Sequence, residues 1–564
     1  MIVIYFTLIL LSGLLGLYTL KSCFISFNSR PLPPGPPPRP IIGNLFDFPK
    51  PGAKEWEHWL KHKDLYDTPG VKVSETGLSG PISSLATMGQ TVIILNKPEV
   101  AFDLMEKRSA IHSSRPQAVF SADLVNWKRA VTINGDAAVV RTHRKYMTSL
   151  LGSKNAILNL HPQLDLGARQ FLLQTLQHPN SLIENIRRYL DSWPDIGKYG
   201  REVTDPNASV TGAQILDIVY GYKVAPSGPD SLVDMAELSG KQFSSAVQPG
   251  MWAVDSVPIL KYLPAWFPGA GFQRTAREWR DALTTLAEKP YAFVLHQRSK
   301  GKDVDSYVSR HLDALDRPVT PDEESVIKWT AAIIYGAGAD TTVSALSTFF
   351  LAMAKFPDVQ RHAQAELDLM VGSRLPIMND RPNLPYVDAL MKEVMRWHPV
   401  APLGVPHMTT EDDEYCGYRI PKGAVLIPNI WSFTHDPDIY NEPMSFNPVR
   451  FLQHQNGISP ECDPQKFVFG FGRRICPGRF LAEASLFLTI AKSLAVFDIA
   501  KGLEEDGKEV DLPAGFSTGI ISHPSPFHVQ VRPRSEHAQG LIRSVEAEEP
   551  WSKGDSEVFD DIKL

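Results

Sequence analysis

Cysteine is scarce in this chain, with four in 564 residues. No two of them stand in a C-x-x-C spacing, so a zinc ribbon has no ligand set. A ferredoxin-type iron–sulfur centre lacks ligands on the same ground. So sparse a set is no disulfide framework and fits a reducing compartment. An excess of positive charge is also missing. Lys and Arg total 57 against 63 Asp and Glu, a net charge of −6, and no long basic run exists. Nucleic-acid binding therefore has no support. No internal repeat is found. What remains is a globular composition, 43% hydrophobic and 21% charged, long for one domain but within reach of a large single-domain enzyme.

Charge is wholly absent from Ile2 to Leu20 (IVIYFTLILLSGLLGLYTL). At about 1.5 Å per residue a helix here spans roughly 28 Å, close to the hydrocarbon thickness of a bilayer. The expectation is a transmembrane anchor over 1–20. A cleaved signal peptide is the competing reading, but it wants a basic start that Met1-Ile2-Val3 does not supply. Lys21 and Arg30 follow the apolar run and place the rest of the chain in the cytosol. Residues 21–44 contain RPLPPGPPPRPIIGN and read as a Pro-rich linker, a stiff spacer, with a P-x-x-P partner motif as the alternative. Over 45–534 the pattern is that of one mainly helical α+β domain. GPISSLATMGQTVIILN predicts a β-hairpin. EESVIKWTAAIIYGAGADTTVSALSTFFLAMAKF, ALMKEVMRW and GRFLAEASLFLTIAKSLAVF predict helices. YCGYRIPKGAVLIPNIW and FHVQVRPR are β-rich. Residues 535–564 are acidic and read as a flexible tail. Asn207-Ala-Ser209 is a glycosylation sequon that a cytosolic domain would leave unmodified.

The segment FVFGFGRRICPGRF, Phe467 to Phe480, puts one cysteine among three glycines and three arginines. A lone cysteine is usually a small buried hydrophobe. Here the neighbours argue for a ligand. Arginines and backbone amides favour the thiolate, the form that binds metal. Pro477 suits the first turn of a following helix, whose N-terminal end adds positive field. Glycines allow a flat group to approach closely. A sulfur anion at the end of a loop, with Arg474 free to pair a carboxylate, fits a haem: iron for the sulfur, propionates for the arginine.

Phe469, Gly472, Arg474, Cys476 and Gly478 fall on F-x-x-G-x-R-x-C-x-G, which resembles the haem-binding loop of the cytochrome P-450 family. Three further motifs carry the resemblance, which covers roughly 31–534. GAGADTT contains A-G-x-D-T at Ala337, Gly338, Asp340 and Thr341. Read without the family, its glycines each cost a helix about 1 kcal/mol and suit close helix packing; a phosphate loop is disfavoured, since no strand precedes it and no lysine follows. Glu393-Val-Met-Arg396 places its charges on one helix face; alone it reads as a surface ion pair. With Arg450 of Pro448-Val449-Arg450-Phe451 it matches the family's buried triad, although glutamate is commoner where Val449 stands. RTHRKYM resembles the W-x-x-x-R helix, with Arg144 as the arginine and Val140 where the tryptophan belongs.

The resemblance implies the P-450 fold and a haem-thiolate monooxygenase that inserts one atom of dioxygen into a hydrophobic small molecule. Cys476 would ligate iron. Arg474, Arg144 and His407 would hold propionates, with Phe469, Gly472 and Gly478 shaping the loop. Thr341 and Asp340 would deliver protons. His407 also reads as an ordinary loop histidine. Residues 119–125, 333–336, 400–405 and 519–522 would line an apolar pocket. Electrons would come from NADPH through a membrane-bound NADPH–cytochrome reductase, steered by Arg473, Arg479, Arg141 and Lys145. The location implied is the endoplasmic reticulum membrane, single-pass, with the catalytic domain toward the cytosol. Two segments are similar to fungal microsomal enzymes of secondary metabolism, of the O-methylsterigmatocystin oxidoreductase type, whose substrates would be terpenoids or polyketides. A reductase-independent isomerase or dehydratase is the rival enzyme, opposed by the presence of Thr341. A non-catalytic haem-binding protein is the third reading.

Overall fold

In a computed structural model of the chain, the described residues are 30–564 apart from 41, 51, 66–80, 88, 180–181, 183–185, 187–210, 226–229, 249, 303, 454–458, 505, 513–514 and 549–553. The predicted anchor over 1–20 and the sequon at Asn207 lie outside them. Among the described residues no helix is long and apolar enough to cross a membrane.

Helices dominate. In chain order the longer ones are α1 (Glu55–Leu65), α2 (Ala137–Leu151), α3 (His161–Gln177), α4 (Thr211–Tyr220), α5 (Ser231–Ala246), α6 (Phe272–Ser299), α7 (Tyr307–Asp313), α8 (Pro321–Lys355), α9 (Pro357–Met370), α10 (Pro385–Trp397), α11 (Arg479–Val496) and α12 (Glu536–Glu548); a short α13 (Ser556–Asp560) ends the chain. The predicted long helix is α8. It starts at a capping box, in which Thr320 and Glu323 satisfy each other's backbone N–H groups, with Pro321 next and acids through the first turn, all favourable at a helix N-terminus. From Thr342 to Ala354 every residue of α8 is buried. α11 is buried almost as completely and packs on α8, α3 and α9. These two helices, apolar on most sides, form the middle of the core.

The predicted hairpin is β1 (Ile82–Thr87) with β2 (Gln90–Leu95), paired antiparallel from Ile82↔Leu95 to Thr87↔Gln90. β2 then runs parallel to β6 (Val425–Pro428), and β6 runs antiparallel to β3 (His407–Met408), giving the order β1-β2-β6-β3. The remaining strands form two small antiparallel pairs, β4 (Asp413–Tyr415) with β5 (Tyr418–Ile420) and β7 (Phe497–Lys501) with β8 (Val529–Pro533). A bridge between Ser114 and Met408 holds the 111–116 segment against β3.

Two boundaries differ from the sequence expectation. The linker predicted over 21–44 is no free spacer from residue 30 onward. Pro34 accepts the Ser84 backbone N–H at 2.8 Å, Pro33 accepts its hydroxyl at 2.5 Å, and Pro31 accepts from Arg419. Proline lacks a donor but keeps its carbonyl, so this run can cover the acceptor-seeking edge of β1. The acidic tail predicted over 535–564 contains α12 and α13. Ala538, Ile542 and Val545 enter the core, and Phe559 is fully buried. Apolar residues at i, i+4 and i+7 bury one face while the acids face outward, and Arg169 holds Glu548 at 2.5 Å.

Candidate active site

The cysteine loop is built by three local devices. Gly470 and Gly472 adopt positive φ of 77° and 52°. A Cβ on Gly472 would stand 2.4 Å from the Met105 carbonyl oxygen, so only glycine lets the loop lie against the 102–107 turn. The Cys476 N–H then donates to the Phe469 carbonyl at 2.7 Å, closing the loop on itself. α11 starts directly afterwards at Arg479, with Gly478 as its N-cap, so Pro477 stands just before the helix and not in the first turn expected for it. Burial pushes the Cys476 thiol up, and the Gly478 N–H with Arg144 and Arg479 pulls it down without winning. The expected spontaneous thiolate is therefore not what the protein alone dictates. Desolvation outweighs the two arginines, so a bound cation must complete the ionisation.

Around the sulfur the structure gathers cations. Arg474 donates to the carbonyls of Ser113 at 2.7 Å, Val131 at 2.9 Å and Asn134 at 2.6 Å. Burial and Arg144 lower it to about 10. Arg115, which sequence reasoning missed, is 6% exposed. It donates to Thr132 at 3.0 Å, Val405 at 2.6 Å and Pro406 at 2.8 Å, and burial with Arg474 and Arg144 lowers it strongly. Arg144 on α2 is lowered by burial, while Cys476 acts in the opposite direction. Among the described residues none of these three arginines has a carboxylate partner. Beside them the hydroxyls of Ser113 and Thr132 are buried without a partner, although their own carbonyls hold Arg474 and Arg115. Converging guanidinium groups that repel one another and lack an anion make a ready site for carboxylates. The donor set thus fits a haem: one sulfur for the metal, arginines for the propionates. Among the described residues no cluster of three His, Cys, Asp or Glu offers a rival metal site.

His407 sits at the same place, with a limit. Its Nδ1 donates to the His112 carbonyl at 2.7 Å, so Nε2 can donate only from a protonated ring. Burial and Arg115 hold the ring far below its usual value; a carboxylate placed among the arginines would reverse part of that. Val140 lies in the core at 6% exposed, filling with packing what the family fills with a tryptophan donor.

On α8, Gly336 and Ala337 are exposed although Tyr335 before them and Ala339 after them are buried, and a Cβ on Gly336 would meet open space. Gly338 differs: a Cβ there would stand 2.6 Å from Ile215 Cδ1 of α4. One glycine of the motif thus stands beside open space and the other at the close helix packing that the sequence suggested. Thr341 donates its hydroxyl to the Ala337 carbonyl at 2.9 Å. Asp340 pairs with His523 at 3.1 Å, a partner that no motif announces.

The charge triad is assembled and buried. Arg396 gives Glu393 two hydrogen bonds, at 2.7 and 2.9 Å, and reaches the carbonyls of Thr434, Pro443 and Ser445. Arg450 Nε lies 3.3 Å from Glu393 and its Nη1 binds Glu461 at 2.6 Å. Val449 is 39% exposed, so the departure from glutamate there leaves the triad intact. In the 119–125 segment Phe120 is fully buried in the core and stacks on Trp252 at 3.5 Å between ring centroids. Ser522 is buried and bonded to His398 at 2.7 Å.

Comparison with known proteins agrees with this geometry. The sequence model of the family described as Cytochrome P-450 matches residues 33–187 and 233–531. The cytochrome P-450 monooxygenase ppsD of Aspergillus oryzae is 42% identical over 535 residues, covering 94% of each chain. O-methylsterigmatocystin oxidoreductase of Aspergillus flavus is 41% identical over 556 residues, covering 98% of this chain and 97% of its own. Cytochrome P-450 monooxygenase 208 of Postia placenta is 42% identical over 528 residues, covering 93% and 95%. A family match over most of the chain, relatives of nearly equal length and a loop built to present one cysteine lead to one conclusion: this chain belongs to the cytochrome P-450 family and is a haem-thiolate monooxygenase, served by a redox partner and acting on a small molecule.

Proposed function

We propose that Cys476 is the thiolate ligand and that Arg115, Arg144 and Arg474 hold the two propionates, with His407 joining them once its ring is protonated. The observation that carries this reading is the set of three arginines, Arg115 buried and Arg144 and Arg474 half-buried, beside one cysteine and without a carboxylate partner among the described residues. Haem bound there supplies dioxygen activation, which the thiolate favours. The chain's own part is to seat the ring, keep water away and bring protons. Phe469, Gly472 and Gly478 keep the loop flat against it. Thr341 and Asp340, next to the open stretch of α8, hold and pass protons. Glu393, Arg396 and Arg450 brace the loop from behind.

The substrate is a hydrophobic secondary metabolite, a terpenoid or polyketide, a reading supported by the pocket segments and by relatives such as O-methylsterigmatocystin oxidoreductase. Electrons come from an NADPH–cytochrome reductase. Arg141, Lys145 and Arg473 are exposed near Arg144 and the cysteine loop, a basic face suited to an acidic partner. The charge-free start anchors the chain in the endoplasmic reticulum membrane with the catalytic domain in the cytosol. Ile259, Tyr262 and Trp266, 72%, 76% and 81% exposed between α5 and α6, favour contact with the same membrane.

The test is substitution of the ligand. Cys476→Ala, expressed in haem-replete cells, is expected to be recovered without haem, while the wild type gives the red-shifted carbonyl band of thiolate ligation. A variant that keeps haem with the same band would remove Cys476 from the reading.

A further inference from the structure

Asp340 is held from outside its own helix. His523 Nε2 stands 3.1 Å from Asp340 Oδ1; the imidazole is 16% exposed and the carboxylate 39%. No other ion pair of Asp340 occurs among the described residues. His523 lies at the end of the 515–524 loop, which is fastened on several sides. The Ser517 N–H donates to the His523 carbonyl at 2.8 Å, and the His523 N–H donates to Ser517 Oγ at 2.9 Å. Ser522 donates its N–H to Val400 at 2.9 Å and its hydroxyl to Ser517 at 2.7 Å, and Ser344 of α8 donates to the Ser522 carbonyl. His398 bonds Ser522 and stacks on Phe516 at 3.4 Å. The loop is rigid where the imidazole leaves it.

We infer that His523 is a positioning residue for the proton relay: its Nε2–H fixes the Asp340 carboxylate and ties it to the loop that borders the substrate pocket. Asp340 and Thr341 are successive residues of α8, so a turn of the carboxylate alters the direction in which it offers a proton. Holding Oδ1 from the loop side leaves Oδ2 as the oxygen that points elsewhere. Among the described residues, the groups that face the imidazole include Asp340 from α8 and His398 from the segment after α10. A well-oriented acid is worth far more to proton transfer than a free one. This inference rests on the proposed role of Asp340.

The test uses holoenzyme with its NADPH reductase, without added substrate, and reads the share of consumed electrons that leaves as hydrogen peroxide. Wild type, Asp340→Asn, His523→Leu and His523→Gln are compared after haem content and carbonyl band are shown to match. His523→Leu is expected to raise the peroxide share several-fold, as Asp340→Asn does, while His523→Gln, which keeps an N–H donor, restores much of the wild-type share. A second readout is the ring-nitrogen NMR shift of His523, expected to move in Asp340→Asn. If Asp340→Asn changes the peroxide share and His523→Leu does not, the inference is overturned while the relay stands. If Asp340→Asn itself changes nothing, the relay falls and takes the inference with it. An unmoved His523 resonance in Asp340→Asn would show that the pair does not form, and would overturn the inference alone.

Discussion

Glu393 is the carboxylate that Arg396 and Arg450 share behind the cysteine loop, with Glu461 as a second partner of Arg450. It accepts two bonds from Arg396 and one from the Asn447 N–H at 2.7 Å, with Arg450 close by. Both Glu393 and Arg396 are fully buried. Removing the acid strands the Arg396 guanidinium in the interior, while Arg450 keeps Glu461, and a buried pair broken on one side costs about 3–5 kcal/mol. Glu393→Ala is therefore expected to lower the unfolding free energy by about that amount, to shift the urea midpoint down in proportion and to lose haem on purification, whereas Val449→Glu, on the solvent side, is expected to change neither. Denaturation monitored by tryptophan fluorescence checks both. The triad was legible because i, i+3 spacing and a P-x-R-F segment carry recognisable patterns. Arg115 was not. An isolated arginine in a loop has no period and no paired acid in sequence, and its meaning comes from carbonyls supplied by residues 132, 405 and 406.

At the scale of elements, α10 was readable from its one-faced period, α8 and α11 from the length of their apolar runs, and the β1–β2 hairpin from short β-rich runs around a turn. The tail was misjudged because its acids were weighed above its period. α13 shows what that hid. Phe559 is fully buried, with its ring 5.7 Å from Tyr222 and 6.4 Å from Phe293. The adjoining backbone pairs with Lys223, donating from Asp555 at 2.7 Å and accepting on its side chain at 2.8 Å. Tyr222 in turn donates to Asp230 at 2.8 Å, and Asp230 caps α5. The last turn of the chain thus closes over α5 and α6. Phe559→Ala is expected to destabilise by about 3–5 kcal/mol, the range for deleting a buried aromatic ring, while Trp266→Ala, at 81% exposed, stays within about 0.5 kcal/mol. Equilibrium unfolding of the two variants measures the contrast, and equal effects would show that the tail does not dock.

The whole molecule carries a set of imidazoles folded in the neutral form. His62 and His143 are lowered to about 4 by burial, and His435 to about 3 by burial and then Arg396. Each is less than a tenth exposed. Their folded values lie below the unfolded one near 6.5, so between those limits the unfolded chain binds protons that the folded chain refuses. Stability is complete above about pH 6.5 and falls as pH descends toward 4, by about 1.4 kcal/mol per ring for each unit at most. His435 matters most, because its ring stacks on Trp431 at 4.0 Å and Nδ1 donates to the Trp431 carbonyl at 2.9 Å. Its protonation would set a third cation beside Arg396 and Arg450. Thermal unfolding followed from pH 7.5 to 5.0 is expected to show a loss below about pH 6.5 in the wild type and a shallower one in His435→Gln, so that the gap left by the lost Trp431 stack narrows toward the acid end. Parallel curves would mean that His435 is not held neutral in the fold, and the charge triad would then need another explanation for its freedom from competing cations.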